Sequence, residues 1–266
     1  MTLLAALVLG IVQGLTEFIP VSSTAHLLVG EALFRLPPDD PRVFAFTVLV
    51  QLGTLVSLLV YFRADVVALL RAFFARPFST AANTLGWYVI LGTVPALVAG
   101  KLLKPLVEDL FKAPLLGAAI RLFVAAGVLT LAEYLGRRTR KLDSMRAGDA
   151  AAIGLFQVLA IFPGCSRSGS TIAGGMLLGF ERPSAARFAF LLSIPVMLAV
   201  GVYESKELVS MPDLGSFLPP LAVGFVAAAV VGWLAIGWLI SYLSRRSLYV
   251  FAVYCALGGL ACLLAA

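Results

Sequence analysis

Charge is what this chain has least of. Only 13% of its 266 residues are Asp, Glu, Lys or Arg, where a soluble domain carries about 25%, and 61% are hydrophobic. That balance excludes a water-soluble globular domain and implies repeated passage through a bilayer. Cysteine is also sparse. Cys165, Cys255 and Cys262 show no CxxC or metal-ligand spacing, so neither a disulfide framework nor a zinc site is expected, and the two in the last apolar run read as small hydrophobes. The net charge of +6 gives no footing to nucleic acid, because the basic residues are dispersed in short loops between apolar runs, where they act as orientation signals. The opening stretch MTLLAALVLGIVQG lacks the basic start and cleavage site of a signal peptide and is expected to stay in the mature fold.

What is there is a series of apolar runs. A spanning helix needs about 20 mostly apolar residues, and six runs qualify, roughly 43–62, 84–103, 114–136, 187–204, 217–241 and 248–265. Residues 1–34 and 149–180 are each two shorter pieces around a polar centre, broken at Pro20 and at Pro163 and Gly164. They read as re-entrant hairpins, since irregular backbone at depth survives only where protein or water covers it. The expected fold is all-α: a polytopic membrane protein with about six transmembrane helices and two re-entrant helical hairpins. Loop charges orient it. Segments 63–76, 137–146 and 181–187 together with Arg245 and Arg246 hold twelve basic residues, against six opposite (Arg35, Arg42, Lys101, Lys104, Lys112, Lys206), where Glu108, Asp109, Glu204, Glu207 and Asp213 also lie. The richer side is cytoplasmic, which puts both termini outside. The run RRTRKLDSMR at 137–146 reads as a solvated loop near anionic lipid.

The halves resemble each other. GIVQGLTEFIPVSS pairs with GLFQVLAIFPGCSRS, and Phe46, Leu49 and Tyr61 match Phe188, Leu191 and Tyr203 at equal spacing. Residues 1–136 and 149–266 would be two repeats joined by a basic linker at 137–148. Each holds one hairpin and three crossings, so the second enters the membrane inverted. Inverted repeats with discontinuous helices are a transporter layout, so the architecture by itself favours transport and the residues must decide.

The residues concentrate their chemistry in the two breaks. The segment QGLTEFIPVSSTAHL, 13–27, puts a carboxylate, four hydroxyls and the chain's single histidine into an apolar setting, where one charge at depth costs roughly 2.5–3.5 kcal/mol. Gln13 and Glu17 are spaced i, i+4 and share a helix face. Ser22, Ser23 and Thr24 stand where an N-cap would open the next helix, with His26 three residues beyond Ser23. In the second break Ser166, Arg167, Ser168, Ser170 and Thr171 open another short helix. Helix N-termini bind anions, guanidinium suits phosphate oxygens, and Glu17 with Gln13 offers oxygen to a hard cation whose shell water and phosphate would complete. A hydroxyl beside an imidazole suggests cleavage as well as binding. Plainer readings stand beside these. Single hydroxyls such as Ser22, Ser168 or Ser170 serve equally well bonding backbone, Glu17 and Gln13 can be polar glue, and Arg167 needs a carboxylate partner, which Glu17 supplies. Gln51, polar within the first full crossing, is a further candidate.

At these residues the chain resembles the undecaprenyl-diphosphate phosphatases of the bacitracin-resistance type. QGLTEFIPVSSTAHL is similar to their first signature, (E/Q)xxxE followed by PVSSxxH, and PGCSRSGSTIAGG to their second, PGxSRSxxT. The likeness covers the whole chain. It implies hydrolysis of undecaprenyl diphosphate to the monophosphate and inorganic phosphate, recycling the lipid carrier of cell-wall synthesis. It also implies a bacterial cytoplasmic membrane location, an extracytoplasmic site and a divalent cation, Mg²⁺ or Ca²⁺. By the same likeness Ser23 is the nucleophile and His26 its base or the proton donor to the leaving group. Arg167 neutralises the phosphoryl oxygens, Glu17 and Gln13 hold the cation, and Ser22, Thr24, Ser166, Ser168, Ser170 and Thr171 orient phosphate. Glutamine at position 13, where the pattern also admits glutamate, removes one negative charge and implies weaker metal affinity. The partners implied are a polyprenyl diphosphate lipid and the bilayer, a homodimer being allowed.

Two rival functions use overlapping residues. A transporter or flippase of a polyprenyl phosphate needs Arg167 and the helix N-termini but not the Ser23–His26 chemistry. An intramembrane serine protease fits less well, as no GxSxG is present. Whether Ser23, His26 or a metal-bound water attacks phosphorus stays open at this level.

Overall fold

A computed structural model describes residues 1–37, 40–74, 78–110, 114–162, 165–209 and 214–265. Pro163, Gly164, Arg76, Lys112 and Asp213 lie outside the described residues, as do the side chains of Lys104, Glu108, Asp109, Tyr203, Glu204, Lys206 and Glu207. Among the described residues the structure is all α-helix with short 3-10 turns and no strand; one isolated bridge joins Arg140 to Phe180.

The first hairpin is α1 (Leu3–Thr16) and α2 (Ser23–Leu33), followed by α3 (Pro41–Tyr61), α4 (Arg63–Phe73), α5 (Ala81–Leu110) and α6 (Pro114–Leu135). The second is α7 (Ala147–Val158) and α8 (Arg167–Leu177), followed by α9 (Arg182–Val209), α10 (Leu214–Leu243) and α11 (Tyr249–Leu264). At 1.5 Å per residue the 14 residues of α1 reach about 21 Å, short of a hydrocarbon core of about 30 Å. None of the four hairpin limbs crosses alone, and the chain is a multi-pass membrane protein.

Two expectations need adjusting. Among the described residues five helices, against about six expected, are long and apolar enough to span by themselves: Pro41–Tyr61, Ala81–Leu103, Leu116–Leu135, Arg182–Val202 and Gly215–Leu243. The sixth run forms α11, 16 residues long, which packs along α6. The charged 63–76 stretch contains a helix, α4, rather than only loop. Val66 and Leu69, spaced i, i+3, pack against the core while Arg63 and Arg71 stay exposed, an amphipathic pattern that propensity and packing both support.

Packing crosses between the halves. α1 lies on α10, and α10 on α3; α7 lies on α5, and α5 on α9; α3 meets α9, and α6 meets α11. Exchanging the elements of the first half for those of the second reproduces each of these contacts. The α1–α10 and α5–α7 crossings are both made by glycine against glycine. A Cβ on Gly10 would land on the Gly224 carbonyl, and a Cβ on Gly154 on the Gly92 carbonyl. Bare glycine lets the backbones approach, the usual means of joining helices where lipid removes the hydrophobic drive. The exchange is not complete. α8 is wedged against α6, α7 and α9, whereas α2 leans mainly on α1 and leaves Val29 and Leu33 exposed.

The end of the bundle that carries the 137–146 linker is tied by ion pairs. Glu133, its side chain fully buried, accepts Arg182 Nε at 2.6 Å, Arg138 Nη1 at 2.7 Å and the Leu248 N–H at 2.6 Å. Arg140 donates to both oxygens of Asp149 at 3.0 and 2.6 Å and stacks over Phe180. Two arginines of the 137–146 run are therefore structural ties rather than solvated lipid contacts. Burial alone would raise the Asp149 carboxyl, but hydrogen bonds from Arg140 and from the Arg146 N–H outweigh it and hold the carboxyl below its ordinary range.

Candidate functional site

Glu17 caps the end of α1, where the helix stops three residues before Pro20. A proline cannot continue the helix, so the chain turns and puts the carboxylate at the bend instead of on a lipid-facing flank. It is buried, 7% exposed, and four side chains converge on it. Gln13 Nε2 donates to Oε2 at 2.9 Å and Ser23 Oγ donates to the same oxygen at 2.8 Å. Gln51 Nε2 donates to Oε1 at 3.2 Å, and Arg167 forms a salt bridge with that oxygen. Residues distant in sequence thus meet on one carboxylate, the two hairpins being joined by Glu17 and Arg167.

The serines open the return helices. Ser22 caps α2, accepting the Ala25 N–H at 3.4 Å, with φ +71° and ψ +92°, a left-handed setting uncommon for a side chain other than glycine, Asn or Asp. Such outliers persist only where surroundings enforce them and concentrate at functional sites. Here the twist turns Ser23 inward to Glu17. Ser166 caps α8, accepting the Gly169 N–H at 3.1 Å, and meets Ser168 Oγ at 3.1 Å. Thr171 Oγ1 donates to the Arg167 carbonyl at 2.7 Å.

One cavity of about 720 Å³ is bounded on its polar side by Glu17, Ser22, Ser23, Thr24, Gln51, Cys165, Ser166 and Arg167, while Gln13 is buried outside that lining and reaches it only through Glu17. Leu97 and Gly100 of α5 and Val196, Ala199 and Val200 of α9 make an apolar wall, with Lys101 and Gln157 also in the lining. Ser168, Ser170 and Thr171 are buried in packing and absent from that lining. The expected phosphate set therefore divides: Ser22, Thr24 and Ser166 face the cavity, and the other three are buried along α8, where Ser168 reaches the Ile19 carbonyl of the first hairpin.

The contact expected between Ser23 and His26 is not made. His26 Nδ1 lies 2.7 Å from the Ser22 carbonyl and Nε2 lies 2.6 Å from the Tyr254 hydroxyl, while its ring stacks on Tyr254. A carbonyl only accepts, so Nδ1 carries a proton, while Nε2 and the Tyr254 hydroxyl form a hydrogen bond in which either can donate. α2 and α11 together point the imidazole away from the serine. The group placed to take the Ser23 proton is the Glu17 carboxylate.

Sequence reasoning passed over several residues. Tyr254 comes to His26 from 228 positions away, a contact no local pattern reveals. Arg121 in α6 is buried beside Cys165 with its Nε unpartnered among the described residues. Its signal was available, a lone charge in an apolar run, the same signal that marked Glu17. Lys101 was counted only as a loop charge.

A divalent cation fits the donors in a limited way. Among the described residues no three His, Cys, Asp or Glu side chains group as a ligand set, and the one carboxylate in the cavity is shared with Arg167. Such a thin set suits Mg²⁺, which keeps waters and binds through one or two carboxylates plus substrate phosphate.

The chain is similar to known proteins over nearly its whole length. The family described as bacitracin resistance protein BacA matches residues 6–261. A relative from Anaeromyxobacter dehalogenans (strain 2CP-1 / ATCC BAA-258), named undecaprenyl-diphosphatase, is 47% identical over 96% of this chain and 88% of its own. Relatives of the same name from Myxococcus xanthus (strain DK1622) and Desulforudis audaxviator (strain MP104C) are each 44% identical over 96% of this chain, covering 86% and 94% of theirs.

Proposed function

We propose, because this chain belongs to the bacitracin resistance protein family, that it hydrolyses undecaprenyl diphosphate to undecaprenyl phosphate and inorganic phosphate. The reaction would take place in a bacterial cytoplasmic membrane with the site open to the extracytoplasmic side, and would confer bacitracin resistance by renewing the lipid carrier. The observation that carries the reading is the joining of Ser23 and Arg167 through Glu17 inside one half-polar, half-apolar cavity.

The geometry supports the following course. The diphosphate enters the polar end, where Arg167, Ser166 and the N-termini of α2 and α8 face its oxygens. The first prenyl units lie on Leu97, Val196, Ala199 and Val200. Ser23 Oγ attacks the terminal phosphorus as its proton passes to Glu17, and the bond to the bridging oxygen breaks, releasing undecaprenyl phosphate. Water then cleaves the Ser23 phosphoester, giving inorganic phosphate and restoring the serine. Arg167 stays against the phosphoryl oxygens as charge shifts among them. Its pairing with the buried Glu17 keeps the two ions neutral overall between turnovers. His26, tied to Tyr254 and Ser22, holds the first turn of α2 in place and keeps one ring proton on Nδ1.

A divalent cation, Mg²⁺ or Ca²⁺, would be held by Glu17 and Gln13 together with the substrate, neutralising phosphoryl charge. Every residue used comes from a single copy of the chain, so the reading does not require a homodimer.

The test is phosphate release from undecaprenyl diphosphate by purified protein in detergent, with Mg²⁺, Ca²⁺ or EDTA, beside Ser23→Ala and Arg167→Ala. Release by the wild type and its loss in both variants supports the phosphatase. An intact protein that binds the lipid and releases nothing overturns it.

A further inference from the structure

Gln157 sits near the end of α7, 1% exposed, in the lining of the same cavity as Glu17, Ser23 and Arg167. Among the described residues neither its Oε1 nor its Nε2 has a hydrogen-bond partner. Burial of a carboxamide without partners is unfavourable and rare in folded proteins. A second observation shows why it is stranded. Positions 144 apart in the two hairpins carry Ala6 and Ala150, Gly10 and Gly154, and Gln13 and Gln157, and the glycines make matching approaches to α10 and α5. Gln13 is satisfied by Glu17 four residues on. The residue four beyond Gln157 is Ile161, which offers no acceptor. The same amide, placed the same way on its hairpin, is left facing the cavity.

We infer that Gln157 binds the diphosphate headgroup directly, its Nε2–H donating to a non-bridging phosphate oxygen. The inference rests on the phosphatase reading and adds a ligand for its substrate. A donor role suits the half of the site to which Gln157 belongs. The lining residues of the second hairpin, Ala160, Ile161, Cys165, Ser166 and Arg167, include no carboxylate, so that wall presents donors to an acceptor-only anion. The carboxylate that suits a cation stands on the first hairpin.

The experiment compares wild type, Gln157→Met and Gln157→Glu as full-length protein in detergent. Three readouts are thermal stability without substrate, Kd for a non-hydrolysable methylene-bridged prenyl bisphosphonate, and KM, kcat and the Mg²⁺ concentration for half-maximal rate. Methionine matches glutamine in volume and removes both polar atoms. It should leave Tm unchanged or higher, because a stranded polar group is gone. It should also raise Kd and KM about tenfold with kcat within about twofold, the loss of one charge-assisted hydrogen bond. Gln157→Glu, with a like charge facing phosphate, should weaken binding about tenfold further. A Met variant that melts lower with Kd unchanged overturns the inference in favour of a packing role. A Glu variant with unchanged KM and a lower Mg²⁺ requirement overturns it in favour of a cation ligand. If wild type binds the bisphosphonate but releases no phosphate, the phosphatase reading fails separately, and the ratio of the two Kd values still decides the role of Gln157.

Discussion

At the scale of the residue, two of the duties of Glu17 can be separated by mutation. The carboxylate is the acceptor for Ser23 and the counter-ion of Arg167. Glu17→Gln keeps the shape, abolishes the base and leaves the part-buried Arg167 guanidinium without its counter-ion. Phosphate release should fall by about 10²–10⁴-fold, the range of a lost general base. Stability should fall by about 3–5 kcal/mol, as when one partner of a buried pair is removed, read as a lower Tm in detergent. The double variant Glu17→Gln/Arg167→Met should recover most of the Tm and none of the activity. Recovery of both would show the pair to be structural only. Glu17, Gln13, Ser23 and Arg167 were legible in the sequence because each is a polar side chain out of place in an apolar chain. What joins them was only partly legible. The i, i+4 step from Gln13 to Glu17 follows from helix geometry, while the turn of His26 toward Tyr254 depends on how α11 packs, which no local spacing encodes.

At the scale of the element, the hairpins are seated by bare backbone. Gly154 has the Gly92 carbonyl where its Cβ would be, whereas Gly127 on α6 has nothing within 4 Å. Both are glycine to alanine changes within a helix, so propensity favours both by about 0.5–1 kcal/mol. Gly127→Ala should therefore raise Tm. Gly154→Ala should lower it, overpacking costing about 1–3 kcal/mol or more where backbone must move, and should displace α7 and with it the cavity wall at Gln157. Equal shifts from the two substitutions would deny the close approach. Elements were legible where one signal dominated, as in the unbroken run that became α3. They were harder to read where two signals competed: in 63–76 the charges spoke for a loop while the i, i+3 spacing of Val66 and Leu69 spoke for the helix that forms. The run at 248–265 satisfies composition and is helical over all but its two end residues, which gives 16 residues with Leu248 as the N-cap, its N–H bonded to Glu133.

At the scale of the whole molecule, the rim around the 137–146 linker holds together segments that the membrane alone would leave loosely related. Glu133 ties α6, the linker, the start of α9 and the start of α11 through Arg138, Arg182 and the Leu248 N–H. Glu133→Ala should cost about 3–5 kcal/mol by stranding those donors, more than any single substitution among the exposed basic residues of the linker. Asp149 anchors the linker to the second hairpin through Arg140, and here pH gives an independent check. Its carboxyl is held below the ordinary range in the fold. The tie is therefore fully present above the unfolded value of about 3.9 and is lost as pH falls through the lower folded value. Melting temperature measured from pH 7 down to pH 2.5 should be level to about pH 4 and then decline. Because the pair is partly open to solvent, its share is about 1 kcal/mol. Asp149→Asn should remove that share of the decline and start from a lower plateau. A variant whose acid profile superimposes on wild type would place the acid sensitivity elsewhere and release Asp149 from its role as an anchor.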